Sequence, residues 1–151
     1  MPIPFSKSLA AATFTAVLTT ATTQAQAQTP SELTCGLVAA AMKSNESLIA
    51  GTRDILENLS DKKFRSIAGP LESLPSDFVE SHVAEIANVG DLLVVHFAVV
   101  RSESVGNVYF RVAYEKANDG YVGVKYSFDS DHEDLFEDWT TLQALKPVNC
   151  P

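Results

Sequence analysis

Tyr109-Phe110-Arg111-Val112-Ala113-Tyr114-Glu115-Lys116, then Ala117-Asn118-Asp119-Gly120, then Tyr121-Val122-Gly123-Val124-Lys125-Tyr126-Ser127-Phe128: this stretch decides the fold. Two alternating apolar–polar runs flank a turn signal, the pattern of an antiparallel hairpin with one buried face. Asn118-Asp119-Gly120 suits a three-residue loop, a type I turn closed by glycine at positive φ as a bulge. That loop predicts Lys116 opposite Val122, Tyr114 opposite Val124, Val112 opposite Tyr126 and Phe110 opposite Phe128. Above Lys116 these pairs form one apolar face, while Asn107, Tyr109, Arg111, Glu115, Lys125 and Ser127 occupy the other. A one-residue slip would mix the faces, so the register is well specified.

Upstream, Leu92 to Val100 is apolar on both parities, as in a central strand covered on both sides. His96 is its one polar side chain before Arg101, and its side is left open by the Ser102–Asn107 loop. The segment before it reads as helix. Thr29-Pro30-Ser31-Glu32 combines an N-cap, a proline at the first helical position and a capping-box glutamate. Leu33, Leu37, Ala41, Leu48, Thr52, Ile55 and Leu59 then recur at helical spacing, predicting one long helix over 30–59, bent near Ser44. Ala39-Ala40-Ala41 suits close packing on a sheet, or against a partner helix. Ser60-Asp61 suggests a short helix through Phe64 and Ile67, ended by Gly69-Pro70. Pro75-Ser76-Asp77 is read as opening a third, with Phe78, Val79, His82, Val83 and Ile86 along one side and a stop at Asn88–Gly90.

After Phe128 the chain is acidic. In the preferred reading, Ser130 caps a C-terminal helix with Glu133 as its capping-box partner, and Leu135, Trp139, Leu142 and Leu145 face the domain. The alternative is a calcium loop begun by Asp129, Asp131 and Glu133. It fails at the glycine position, occupied by Asp134, and at the bidentate acid position, occupied by Thr140. These three acids remain the one candidate divalent-cation set, and no cofactor is expected.

The chain has 151 residues and a formal net charge of −8. Its scattered lysines and arginines and acidic balance disfavour nucleic-acid and anionic-membrane partners. Lys7, the apolar Leu9–Leu18 run and Ala25-Gln26-Ala27 have the layout of a secretory signal peptide over 1–27, leaving one domain over 28–151. The apolar run is too short for a span, which needs about 20 residues. Two cysteines, Cys35 and Cys150, then suggest a disulfide closing nearly the whole domain, worth roughly 3–5 kcal/mol in the chain-entropy model. Periplasmic or secreted placement follows from that reading.

No P-loop, dinucleotide fingerprint, H-E-x-x-H or G-x-S-x-G occurs. His82, His96 and His132 are the three histidines. His96 on the sheet is the weak candidate for a general base.

The run from Tyr109 to Lys116 into Asn118-Asp119-Gly120-Tyr121-Val122 and Lys125-Tyr126-Ser127-Phe128-Asp129 resembles the C-terminal half of small bacterial exported NTF2-like, cystatin-related proteins, over about 92–129. That resemblance implies an α+β fold, N-terminal helices on a curved antiparallel sheet of three or more strands, with a pocket on its concave apolar face. The expected role is a non-enzymatic binding module for a small apolar ligand or a protein. Phe110, Tyr114, Tyr126 and Phe128 would line the pocket, with His96 as a polar contact. One alternative is an assembly protein acting through an exposed hairpin face around Tyr109, Arg111 and Tyr121. The other is an isomerase or dehydratase with His96 as base.

Overall fold

The computed structural model describes residues 28–136 and 145–151. The leader reading over 1–27 and the helical reading of Trp139 and Leu142 lie outside those residues, whereas Leu145, expected on the same helix face, is exposed and immediately precedes a strand at Lys146–Val148. The described chain is α+β: three helices packed on a five-stranded antiparallel sheet, with a short helix late in the chain.

Helix α1 (Pro30–Lys43) starts as its sequence dictates. Thr29 accepts from Glu32 N, and the Glu32 carboxylate reaches back to Thr29 N at 2.7 Å, completing the capping box. The helix does not continue to Leu59. Ser44 is extended (φ −172°, ψ 160°) and its hydroxyl caps a new helix, α2 (Asn45–Ile55), through Ser47 N. A serine that can cap breaks a weak helical stretch where a tight reversal brings compensating packing. The packing partner is glycine: a Cβ on Gly51 would sit 3.4 Å from Ala40 Cβ, so α2 folds back closely on α1. The small-residue run at 39–41 therefore meets a helix of the same chain, and Ala41 enters the core.

Helix α3 (Asp61–Glu72) also departs from expectation, since it runs through Gly69-Pro70, with Pro70 inside its last turn. The larger correction follows it. The segment read as a third helix is strand β1 (Phe78–Val89). Bulges at Val79 and Ile86 interrupt its pairing with β2 (Leu93–Ser102). They bring the buried residues Phe78, Val83 and Ile86 to spacings of five and three, which imitate a helical period. Asp77 caps no helix. Its carboxylate accepts from Ser102 Oγ at 2.6 Å and Ser104 N at 2.9 Å, pinning the start of β1 to the opposite loop. Asn88 and Asp91 instead hold the β1–β2 turn, where Gly90 and Asp91 both have positive φ.

Strand β3 (Gly106–Ala117) pairs with β2 and with β4 (Gly120–Asp129), and β5 (Lys146–Val148) pairs with β1, giving the order β4-β3-β2-β1-β5. The hairpin keeps its expected register from Val112↔Tyr126 to Phe110↔Phe128. Nearer the turn it differs. Ala117 pairs with Gly120, so the link is two residues, and the extra residue sits at Val124. Gly123 thereby faces Tyr114. A Cβ there would lie 2.5 Å from Ile55 Cγ2 and 2.8 Å from Ile55 O, so the bulge places the one residue without a side chain under the end of α2. Val124 itself turns out to solvent.

The core lies between helices and sheet: Leu37, Val38, Leu48, Ile55, Leu56 and Leu71 against Val83, Val100, Phe110, Val112 and Tyr114. β2 is central and covered on both faces, as its composition requires. On the far face Phe97 stacks on Tyr109, with ring centroids 5.8 Å apart, and lies 4.9 Å from Phe136 of α4 (His132–Phe136). Asp131, rather than Ser130, accepts from Glu133 N, and Asp129 accepts from Asp131 N. Cys35 and Cys150 are at disulfide distance, Cα atoms 5.3 Å apart, tying α1 to the residues after β5.

Candidate functional site

Two helical threonines meet two sheet tyrosines beneath the helices. Thr34 of α1 donates its hydroxyl hydrogen to the Pro30 carbonyl at 2.9 Å. A hydroxyl has one hydrogen, so its other contacts are ones it accepts: the Tyr114 hydroxyl at 2.7 Å and His96 Nδ1–H at 2.8 Å. Thr52 of α2 repeats the arrangement, donating to Leu48 O at 2.8 Å, with the Tyr126 hydroxyl 3.4 Å away.

The side of His96, open in the sequence, is therefore the helix side. Pairing with Val112 puts it on the face of Phe110 and Tyr114. Its ring is 1 % exposed, and Nε2 is buried without a hydrogen-bond partner among the described residues. Burial holds its pKa down at about 4, opposed by the nearby Glu85 carboxylate and by the Pro30 backbone carbonyl. Burial likewise pushes the Tyr114 and Tyr126 phenols up. Thr34, His96 and Tyr114 form a neutral, buried cluster joined through the Thr34 hydroxyl, with His96 Nε2 left unpaired, while Tyr126 lies at its margin. Its buried members orient side chains within the core.

The pocket residues inferred from the resemblance separate into two groups. Phe110 and Tyr114 are fully buried under α1 and α2. Tyr126 and Phe128 are partly exposed and line a groove of about 520 Å³ between β4 and α3. Its α3 side is Ser66, Ile67 and Pro70, with Leu74 beyond the helix; its β4 side is Tyr126 to Ser130. The groove does not reach His96. It exists because α3 packs chiefly on α2 and is buried only at Leu71, standing beside the sheet as a wall.

The hairpin residues Tyr109, Arg111 and Tyr121 are partly engaged within the chain, the two tyrosines remaining half-exposed. Arg111 is buried and its guanidinium donates to the Leu135 carbonyl; Tyr109 stacks on Phe97. The Tyr121 hydroxyl donates to Asp91 O at 3.0 Å. For the acidic set, Asp129 and Asp131 accept backbone N–H groups as local caps, and no cluster of three metal-ligating side chains occurs among the described residues. No helix among the described residues is long and apolar enough to cross a membrane.

Sequence reasoning missed Thr34, Ile67, Pro70 and Leu74 as site neighbours. Thr34 sits one turn from Val38 and Pro30 at ordinary helical spacing, and nothing local marks it as a polar anchor. Among protein-family models, curated proteins and solved structures, nothing matches this chain.

Proposed function

We propose that this protein is an exported, non-catalytic binding domain that takes an apolar group into the groove between α3 and β4. The groove itself carries the reading. A mainly apolar groove of about 520 Å³, walled by Ile67, Pro70 and Leu74, floored by Tyr126 and Phe128 and rimmed by Ser66, Ser127, Asp129 and Ser130, keeps apolar surface accessible. Export is supported by the leader-like 1–27 and by a cysteine pair at disulfide distance, which an oxidising compartment preserves. The NTF2-like likeness belongs to this proposal at the level of helices on one antiparallel sheet. A His96-based isomerase is the weaker reading, because a substrate would have to displace the α1 packing to reach the ring.

A neutral, polarity-sensitive dye such as Nile red tests the groove. Dye fluorescence should rise on binding, and Ile67→Ser and Phe128→Ala should each weaken it at least tenfold. Leu92→Ser, at an exposed apolar residue far along the chain from the groove's lining, should leave it unchanged. Equal loss at all three sites, or no dye binding, would overturn the reading.

A further inference from the structure

We infer that the occupant of this groove is an extended peptide, added along the outer edge of β4 as a sixth strand, with a basic residue set against Asp129. The inference rests on the groove reading above and adds the class of partner.

Five consecutive residues of β4 and its exit, Tyr126 to Ser130, line the groove. Side chains of a strand alternate between faces, so a cavity on one face would be lined by every second residue. An unbroken run means that the strand is met edge-on, with its main chain forming part of the wall. β4 pairs with β3 on one side and with no other described strand. The outward N–H and C=O groups of such an edge pair readily with an added strand. The Val124 bulge and the Lys125 side chain, which blunt the edge at mid-strand, both face solvent. From Tyr126 on, the strand carries Asp129 as its one charged side chain, and α3 stands across the groove from it rather than on its edge.

The apolar lining suits the same occupant. Tyr126 and Phe128 are two apart on one face of the strand, and Ile67, Pro70 and Leu74 oppose them. An added strand projects every second side chain to one face, so two or three apolar side chains at i, i+2 and i+4 would enter the groove while main-chain bonds fix the register. Charge sets the preferred flank. Asp129 closes one end, followed by Asp131, Glu133 and Asp134, in a chain of net charge −8. A lysine or arginine there is attracted, and an acidic peptide is repelled. A second copy fits less well. Each copy holds α3 beside its own β4, so two sheets joined at this edge would bring two α3 walls into one space.

Peptide display tests this without a known partner. A random nine-residue library is selected on the purified protein with its Cys35–Cys150 bond intact, and the selected peptides are synthesised. Winners should alternate apolar and other residues and carry lysine or arginine near one end. Binding should slow amide exchange at least tenfold within 125–129, and methylating alternate peptide nitrogens should weaken it at least tenfold. Asp129→Asn should cost three- to tenfold. Winners indifferent to N-methylation, or exchange slowed elsewhere, would overturn the inference. Dye binding in the groove with no peptide selected would leave the groove reading standing and remove the strand. Failure of both probes would remove both. A concentration-dependent dimer with protected β4 amides would give the edge to a second copy and also refute the inference.

Discussion

The two edges of this sheet are closed by different means. The β5 edge is three residues long, and Pro147 offers no N–H to a partner. Lys146 sits 3.2 Å from Glu85 of β1, and Cys150, two residues past the strand, is tied to α1. The β4 edge is ten residues long. Up to Lys125 it is held by packing, with Ile55 pressed on Gly123, and guarded by the Val124 bulge and Lys125 itself. From Tyr126 on it borders the groove beside α3. Composition and a covalent bond close one edge, while the other is left half open, and the proposed binding uses the open part.

Removing the covalent closure should have the largest effect. Cys35→Ser with Cys150→Ser opens a loop with a sequence separation of 115 residues, and the chain-entropy model puts the loss at about 4–5 kcal/mol. Urea unfolding measures it. Amide exchange should then quicken first at 146–148, with β4 following only at global unfolding. Fraying that begins at β4 would reverse the comparison.

Between the edges, the central strand carries its own sensitivity. His96 in the unfolded chain takes up a proton near 6.5, whereas burial delays uptake in the fold to about 4. Protonation therefore favours the unfolded chain in that window. Stability should be flat above about 6.5 and fall by about 3 kcal/mol as pH drops to 4. His96→Leu should flatten this slope, since Thr34 keeps the Pro30 carbonyl and Tyr114 as partners. Parallel pH profiles for the two proteins would show that other groups carry the effect.

Gly123→Ala probes the packed half of the β4 edge. The new methyl would meet Ile55 Cγ2 at 2.5 Å and the Ile55 carbonyl at 2.8 Å. The backbone oxygen cannot swing aside, so α2 must lift, at a cost of about 2 kcal/mol. A lowered melting temperature, with faster exchange in β4 than in β5, is expected. An unchanged melting temperature would mean that α2 is not seated on the strand.

How much of this was legible depends on whether local pattern and tertiary demand agree. The capping box at Thr29, the doubly apolar β2 and the Val112–Phe128 half of the hairpin follow from local chemistry, and the structure keeps them. β1 was hidden because two bulges give it a helix-like period, a choice made by pairing with β2 and absent from the segment itself. Ser44 divides one periodic run into two helices because Gly51 and Ala40 can touch, a contact across a turn that periodicity does not encode. Of the candidate pocket, Tyr126 and Phe128 reach the groove and Phe110 and Tyr114 do not. The hairpin register predicts a shared face but not how far α3 extends over it.

The smallest energetic effect separates the two edges most directly. Lys125→Val removes an exposed charge beside the bulge, and its effect on stability should stay within about 0.5 kcal/mol. Its effect on association should be larger, because an uncharged edge beside an apolar groove accepts other strands. Lys146→Val makes the same chemical change on β5. There Pro147 and a length of three residues still block pairing, and that variant should stay monomeric. Sedimentation velocity over a range of concentrations compares them. If both associate, Lys146 was the guard of the β5 edge and proline and shortness were not sufficient. If neither does, the bulge at Val124 alone protects β4, and a peptide would have to enter beyond it, between Tyr126 and Asp129.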